Sequence, residues 1–226
     1  YASEDGVISG WNGGDSTVAV ADFSASNAVY KGICLANDGS ANFLYLADFK
    51  NAKIDVLDKN FQLVTGKTFS DPGIPAGFAP FNIKNIGGNL FVTYAKQKGP
   101  DNKDDQAAIG NGYVDIFNVN GQLVKRFASA GTLNSPWGIA KSSTGFGQSS
   151  GSILVGNFGD GKINVFDSSG KYGGQLLSGN QTLTIDGLWE ITFESATVTG
   201  ANPDLLYFTA GPSSETHGVF GYLKKL

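Results

Sequence analysis

Short runs of apolar and polar residues recur along the chain in a constant order. Lys53-Ile54-Asp55-Val56 alternates apolar with polar residues, whereas Ile153-Leu154-Val155 is continuously apolar. Alternation indicates a strand with one face on a core, and a continuous run indicates a strand buried on both faces. The pattern predicts an all-β protein in which no helix is longer than a turn.

These runs form an internal repeat. Isoleucines at one repeat position are residues 33, 83, 139 and 191, so successive copies are spaced by 50, 56 and 52 residues. Polar turns rich in Asn, Asp and Gly separate the strands, as tight hairpins require. Four antiparallel strands at this period are typical of a β-propeller blade. A β-sandwich is the alternative fold, but it does not explain the period.

The repeat predicts a single β-propeller domain over residues 1–226, covering about four and a half blades. Residues 1–27 form the end of a partial blade, and the following blades occupy 28–70, 78–130 and 134–180. Residues 186–226 form a last, incomplete blade. An open ring would expose unpaired strand edges, which proteins avoid. We therefore expect a missing N-terminal propeller segment, or another chain, to complete the ring.

Composition and charge exclude some partners. Charged residues make up 16% of the chain, the net charge is −4, and no basic run exceeds the pair Lys224-Lys225. A nucleic-acid partner is not expected, because phosphate binding needs a concentrated basic surface. The apolar runs are too short to span a membrane. Cys34 is the one cysteine, and its apolar strand predicts a small buried side chain.

Several motifs resemble one known family. They lie at residues 4–11, 28–32, 75–83, 94–97, 134–138, 156–161, 186–189, 206–211 and 217–218, and they include Glu4-Asp5-Gly6-Val7-Ile8-Ser9-Gly10-Trp11. Together they resemble a family of secreted bacterial β-propellers, of uncharacterised function, associated with PEP-CTERM sorting systems. The resemblance implies an NHL-like propeller with six blades at full length, and export from the cell. Because that family has no established reaction, the resemblance implies no catalytic residues.

Candidate ligand-binding residues are predicted at one face of the propeller. Loops that lead into first strands and out of second strands meet there, and ligands usually bind where such loops converge. The predicted set is Lys31, Asp48, Asn82, Tyr94, Lys96, Asn157, Trp189, Glu190, Glu215 and His217, with Trp137 and Asp160 nearby.

Some of these residue types allow more than one interpretation. His217, beside Glu215, could bind a metal or act as a general base, or it could simply bond to backbone. The repeated aromatic position, occupied by Trp137 and Trp189 among others, could stack a sugar or pack between blades. No Gly-x-Ser-x-Gly motif is present, so a serine hydrolase is not expected.

The longest insertion, residues 96–112, carries a group of acidic residues. Asp101, Asp104 and Asp105 could bind calcium through carboxylate oxygens, or they could form a solvated acidic loop. No cofactor is expected from the sequence, although it allows calcium.

The sequence favours a secreted, non-catalytic ligand-binding or scaffold propeller with a small-molecule or glycan ligand. One alternative is a calcium-dependent hydrolase or lactonase that uses the central channel. Its metal ligands would be Asp48, Asn82, Asn157 and Glu190. A second alternative is a structural component of an extracellular assembly.

Overall fold

The computed structural model describes residues 1–194 and 200–225, which are nearly all β-strand and turn. The strands of the described residues form antiparallel sheets that follow one another along the chain. In chain order they are β1 (Val7–Gly10), β2 (Val18–Asp22), β3 (Tyr30–Asn37), β4 (Asn42–Asp48), β5 (Lys53–Leu57), β6 (Phe78–Ile86), β7 (Asn89–Lys96), β8 (Gly112–Phe117), β9 (Leu123–Ser129), β10 (Pro136–Lys141), β11 (Ile153–Asn157), β12 (Ile163–Phe166), β13 (Tyr172–Gln175), β14 (Leu177–Ser178), β15 (Gln181–Thr182), β16 (Leu188–Phe193), β17 (Leu206–Ala210) and β18 (Val219–Leu223).

Each larger sheet is a meander in which neighbouring strands pair in sequence order. Two sheets have four strands, β6-β7-β8-β9 and β10-β11-β12-β13, and β3-β4-β5 and β16-β17-β18 have three. The short sheets are β1-β2 and β14-β15. Helical structure in the described residues is confined to the 3-10 turns Ser24–Ser26 and Gly147–Ser149 and to the short segment α1, Pro212–Glu215, whose residues from Ser213 on have left-handed backbone angles. The predicted all-β fold with four-stranded antiparallel propeller blades is therefore confirmed.

The turns after the third strands share one hydrogen-bond pattern. The Asp58 carboxylate accepts bonds from the backbone amides of Asn60 (2.8 Å) and Gln62 (2.9 Å). Asn118 does the same through its side-chain oxygen, for Asn120 and Gln122, both at 3.0 Å. The amide of Gln62, above all, lowers the pKa of Asp58. These side chains close the turns, which explains why Asp and Asn recur at this position.

The chain folds into two compact units. The first unit comprises residues 1–106 and 114–126, and the second comprises residues 107–113 and 127–226. A core cluster of the first unit contains Ile8, Ala28, Tyr30, Leu46 and Leu57. A core cluster of the second contains Ala140, Phe146, Leu154, Ile163, Leu188, Ile191 and Leu206. Burial of these apolar side chains supplies most of the stabilisation of such sheets.

Glycine allows first strands to approach one another closely. A Cβ atom on Gly138, in β10, would lie 2.5 Å from the carbonyl oxygen of Trp189, in β16. In the first unit, a Cβ atom on Gly32 would overlap the side chain of Asn82. Any larger residue would push these strands apart, so both glycines are required by contact rather than by backbone conformation.

Two sequence expectations concern single features. Cys34 is 8% exposed, so the lone thiol is buried as predicted. No helix among residues 1–194 and 200–225 has the length and apolar character needed to cross a membrane.

Candidate functional site

Four aromatic residues share one position in the repeat but differ in exposure. Tyr30 and Phe81 are 2% and 1% exposed, so they pack in the interior. Trp137 and Trp189 occupy the same position in β10 and β16 and remain half-buried. The packing interpretation therefore describes the first two residues, while the two tryptophans of the second unit are only half-buried.

Three aromatic rings of the second unit form one cluster, which we call the aromatic platform: Trp137, Phe158 and Trp189. The indole rings of Trp137 and Trp189 meet edge to face, with centroids 5.3 Å apart. The Phe158 ring lies 4.3 Å from that of Trp189 at an interplanar angle of 33°. All three side chains are half-buried. Sequence reasoning missed Phe158, although it follows β11 directly, as Phe49 follows β4.

The Glu215 carboxylate is held at the edge of the platform. The indole N–H of Trp189 donates a hydrogen bond of 2.6 Å to Oε1 of Glu215. Glu215 itself is exposed. The structure thus brings together Trp189 and Glu215, two residues of the predicted set that are 26 positions apart.

An unusual left-handed turn positions Glu215. Ser213, Ser214 and Glu215 have φ values of 57°, 55° and 64°, respectively. Such angles are costly for residues with a Cβ atom, by about 1–2 kcal/mol each. The turn is anchored by the Ser213 amide, which donates to the Asp186 carboxylate (3.0 Å), and by the Glu215 amide, which donates to Gly211 O (3.0 Å).

Below the platform, buried polar groups fix the segment that carries Phe158. Asn157 is fully buried, and its Oδ1 accepts from the Asn134 amide (3.1 Å) while its Nδ2 donates to Asp160 (3.0 Å). The Phe158 amide donates to Ser135 O at 3.0 Å. Asn157 thus has several bonds within the protein, and its side chain serves to hold two loops together.

Glu190 and His217 lie in the same unit with different partners. The Glu190 carboxylate accepts a hydrogen bond from the Ile191 backbone amide (3.0 Å), and the backbone amide of Glu190 donates one to the Thr209 hydroxyl (3.2 Å). His217 is exposed, and its Nδ1 lies 3.0 Å from the Thr216 hydroxyl. A neighbouring hydroxyl can orient the imidazole ring, whichever tautomer is present.

The remaining predicted residues lie in the first unit, where several are already bonded. Asp48 is fully buried and accepts from the Val29 amide (3.1 Å) and from Asn51 Nδ2 (2.8 Å). Asn82 is 2% exposed, and its Oδ1 accepts from the Ile83 amide (2.8 Å). Both side chains therefore stabilise local backbone.

Two predicted lysines and Tyr94 complete the first-unit set. The Lys31 ammonium group lies 2.5 Å from Glu4 and 3.6 Å from Asp104. Lys96 is half-buried at the end of β7, and its carbonyl accepts from the Gln106 amide (2.7 Å). Tyr94 is 5% exposed, and it lines a cavity that Asp71 also lines.

The acidic insertion is an ordered hairpin extension. Gln97 pairs with Asp105, and the Lys98 amide donates to Asp104 O at 2.8 Å. Asp101 is exposed, and the Asp104 carboxylate faces Lys31. Across the described part of the chain, no three His, Cys, Asp or Glu side chains come together in a group that could hold a metal, these three aspartates included.

Three uncharacterised proteins of Acanthamoeba polyphaga mimivirus are similar in sequence. One is 40% identical over 210 residues, which is 88% of this chain and 52% of the viral protein. Another is 37% identical over 218 residues, 92% of this chain and 39% of the relative. The chain thus spans about half or less of the curated relatives that it matches. No protein-family model matches the chain.

Solved structures are similar in fold at low identity. A candidate gluconolactonase matches with a TM-score of 0.59 at 12% identity, covering 92% of this chain and 67% of that protein. The Dos1 propeller matches with a TM-score of 0.54 at 13% identity, covering 91% of this chain and 47% of that chain. At such identities the likeness concerns fold alone, and the fold is that of a β-propeller protein.

Proposed function

We propose that this propeller is a non-catalytic binding protein that holds the ring face of a carbohydrate against the aromatic platform. The observation that carries the proposal is the half-buried cluster of Trp137, Phe158 and Trp189 with Glu215 bonded to its edge. The same repeat position is buried in the first unit, at Tyr30 and Phe81. Packing between strands of the repeat therefore does not require an exposed ring at this position, and the partial exposure of the two tryptophans needs another explanation.

The chemistry of the platform suits a sugar ring. Indole rings offer large, rigid apolar surfaces at a low cost in side-chain entropy, and the ring of a sugar has an apolar face of C–H groups. A carboxylate beside that surface can accept hydrogen bonds from hydroxyl groups, and such charge-assisted bonds are stronger than neutral ones. An apolar surface with one oriented polar group is the usual composition of a small-ligand site.

The strained turn supports the same proposal. Three consecutive residues with positive φ persist only where surrounding contacts impose them, and such strain is concentrated at ligand-binding and catalytic sites. Here the strain places Glu215 against Trp189. A turn with ordinary backbone angles would not hold Glu215 against Trp189 in this way.

Intrinsic fluorescence tests the proposal directly. The protein has three tryptophans, so Trp11→Phe leaves the two indoles of the platform as the only ones. Titration of this variant with cellotriose, maltotriose and chitotriose should give a saturable change in emission with at least one of them. Sorbitol, which has hydroxyl groups but no ring, is the control. If none of the sugars gives a saturable change, or if sorbitol gives the same change, the proposal is wrong.

Substitutions locate the binding. Trp189→Ala should abolish it, and Glu215→Gln should weaken it about tenfold, since a hydrogen bond to a charged group contributes roughly 1.5–3 kcal/mol. Asp15→Asn removes an exposed carboxylate from the other unit and serves as the matched control. Isothermal titration calorimetry gives the affinity for variants in which the indole signal is lost.

The hydrolase and assembly alternatives are distinguished by separate measurements. Hydrolysis of gluconolactone that depends on calcium, and is lost in Glu190→Gln, would replace the binding proposal with the enzymatic one. Concentration-dependent self-association in light scattering would favour an assembly component. The proposal also includes export from the cell, because several sequence motifs resemble those of a secreted family. Detection of the protein in a culture supernatant would test this part of the proposal.

A further inference from the structure

One repeat position, near the end of the second strand, is filled differently from blade to blade. Asp48 ends β4 and Asn157 ends β11, and both are buried. Each accepts a hydrogen bond from a backbone amide ahead of the first strand, Val29 for Asp48 and Asn134 for Asn157. In the blade that begins with β6, the position is occupied by Tyr94, which lines a cavity.

Where Tyr94 replaces the polar side chain, a cavity of about 290 Å³ opens, which we call the Asp71 cavity. Phe69, Phe78 and Tyr94 supply aromatic walls, and Asp71, Ser70 and Gln97 supply polar groups. The volume lies just below the range of roughly 300–1,000 Å³ that ligand pockets span. The cavity therefore suits a ligand of few heavy atoms.

The charges around the cavity do not balance. Arg126 Nη2 bonds to Asp71, and Nε donates to Oδ1 of Asp115 at 2.5 Å. The Asp71 and Asp115 side chains are 9% and 0% exposed, so two buried carboxylates share one guanidinium group. Oδ2 of Asp115 has no hydrogen-bond partner within the described residues.

Tyr94 lines the cavity and also interacts with the Asp115 side chain. Burial together with the neighbouring Asp115 raises the pKa of Tyr94 well above the ordinary value. Its ring therefore remains a neutral phenol, whose face attracts a cation.

We infer that the Asp71 cavity binds a small organic cation, with the ammonium group against the rings of Phe69, Phe78 and Tyr94 and close to Asp71. Cation–π attraction and the excess of two carboxylates over one guanidinium group both favour a positive ligand. An anion would be repelled, and a neutral ligand would leave the excess charge uncompensated. The site is distinct from the aromatic platform and does not depend on the sugar-binding proposal.

Choline, titrated into the full chain by calorimetry, tests the inference. The comparison is its neutral isostere, in which a tert-butyl group replaces the trimethylammonium group. We expect saturable choline binding in the millimolar range and at least tenfold weaker binding of the isostere. Equal binding of the two, or no saturable choline binding, would overturn the inference.

Two variants assign the binding to the cavity. Asp71→Asn should weaken choline binding at least tenfold, and Phe78→Leu should weaken it several-fold while leaving both carboxylates on Arg126 in place. Asp15→Asn removes an exposed carboxylate of the same unit and should change nothing. Thermal unfolding confirms that each variant is folded. If Asp71→Asn does not fold, the choline affinity of Phe78→Leu tests whether the cavity is the binding site. Unchanged choline affinity in a folded cavity variant would mean that the cation binds elsewhere.

Discussion

At the scale of single residues, one repeat position performs different tasks. Asp48 and Asn157 use it to fasten a loop to the sheet, and Tyr94 uses it to wall a cavity. The sequence placed all three at the same repeat position, because the repeat aligns them. The sequence could not show which of these side chains would be hydrogen-bonded within the protein. Their bonding partners, Val29 and Asn134, lie 19 and 23 residues away along the chain.

The loop-fastening role predicts a stability loss. Asp48→Ala or Asn157→Ala leaves buried backbone amides without acceptors, so each should lower the free energy of unfolding by about 2–3 kcal/mol. Urea denaturation followed by circular dichroism measures this. Asp15→Ala, at an exposed position, should have no measurable effect. Equal losses in all three variants would show that the hydrogen bonds are not the cause.

Asp115 predicts a pH dependence of stability. Burial raises its pKa to about 6, because lost hydration outweighs the attraction of Arg126. The unfolded value is about 3.9, so the folded protein binds this proton more tightly. Stability from this group is therefore full below about pH 4 and falls as the pH rises to about 6, by at most about 3 kcal/mol.

Urea denaturation at several pH values between 5 and 7 isolates this contribution. Wild type should gain stability relative to Asp115→Asn as the pH falls, since the amide cannot take up a proton. The lowered pKa of Asp58 has its effect below this window and cancels in the comparison. Parallel profiles for the two proteins would contradict the assignment.

At the scale of elements, strands were easier to predict than turns. Alternating and continuous apolar runs located the strands of each repeat, because side-chain burial on a sheet imposes that periodicity. The hairpin of β14 and β15 was missed, since its residues are exposed and have no apolar pattern. The left-handed turn at Ser213–Glu215 was missed as well, because nothing in Ser213-Ser214-Glu215 favours positive φ.

That turn predicts a stabilising substitution. Ser214→Gly relieves the contact of a Cβ atom in the left-handed region, at some cost in unfolded-state entropy. The net gain in the free energy of unfolding should be about 0.5–1 kcal/mol. Ala108→Gly, at an exposed position with ordinary backbone angles, should have the opposite sign. If Ser214→Gly is destabilising too, strain in the turn is not significant.

At the scale of the molecule, the fold followed from the repeat, and the candidate sites followed only in part. A period of 50 to 56 residues, read from the isoleucine positions, predicted blades that the sheets confirm. Trp189 and Glu215 were both singled out, but their direct bond depends on an unusual turn. The Asp71 cavity was not predicted, because Asp71, Asp115 and Arg126 come from three separate segments and form no motif.

The lone buried thiol has a consequence for how the two units can be studied. Cys34 belongs to the first unit, and both tryptophans that remain in Trp11→Phe belong to the second. The rate of Cys34 modification by a thiol reagent therefore times the opening of one unit, and indole emission reports the unfolding of the other. Coincident transitions in urea would mean that the chain unfolds cooperatively. Separate transitions would mean that each half keeps its own stability, so that a ligand bound to one could protect it while the other opens.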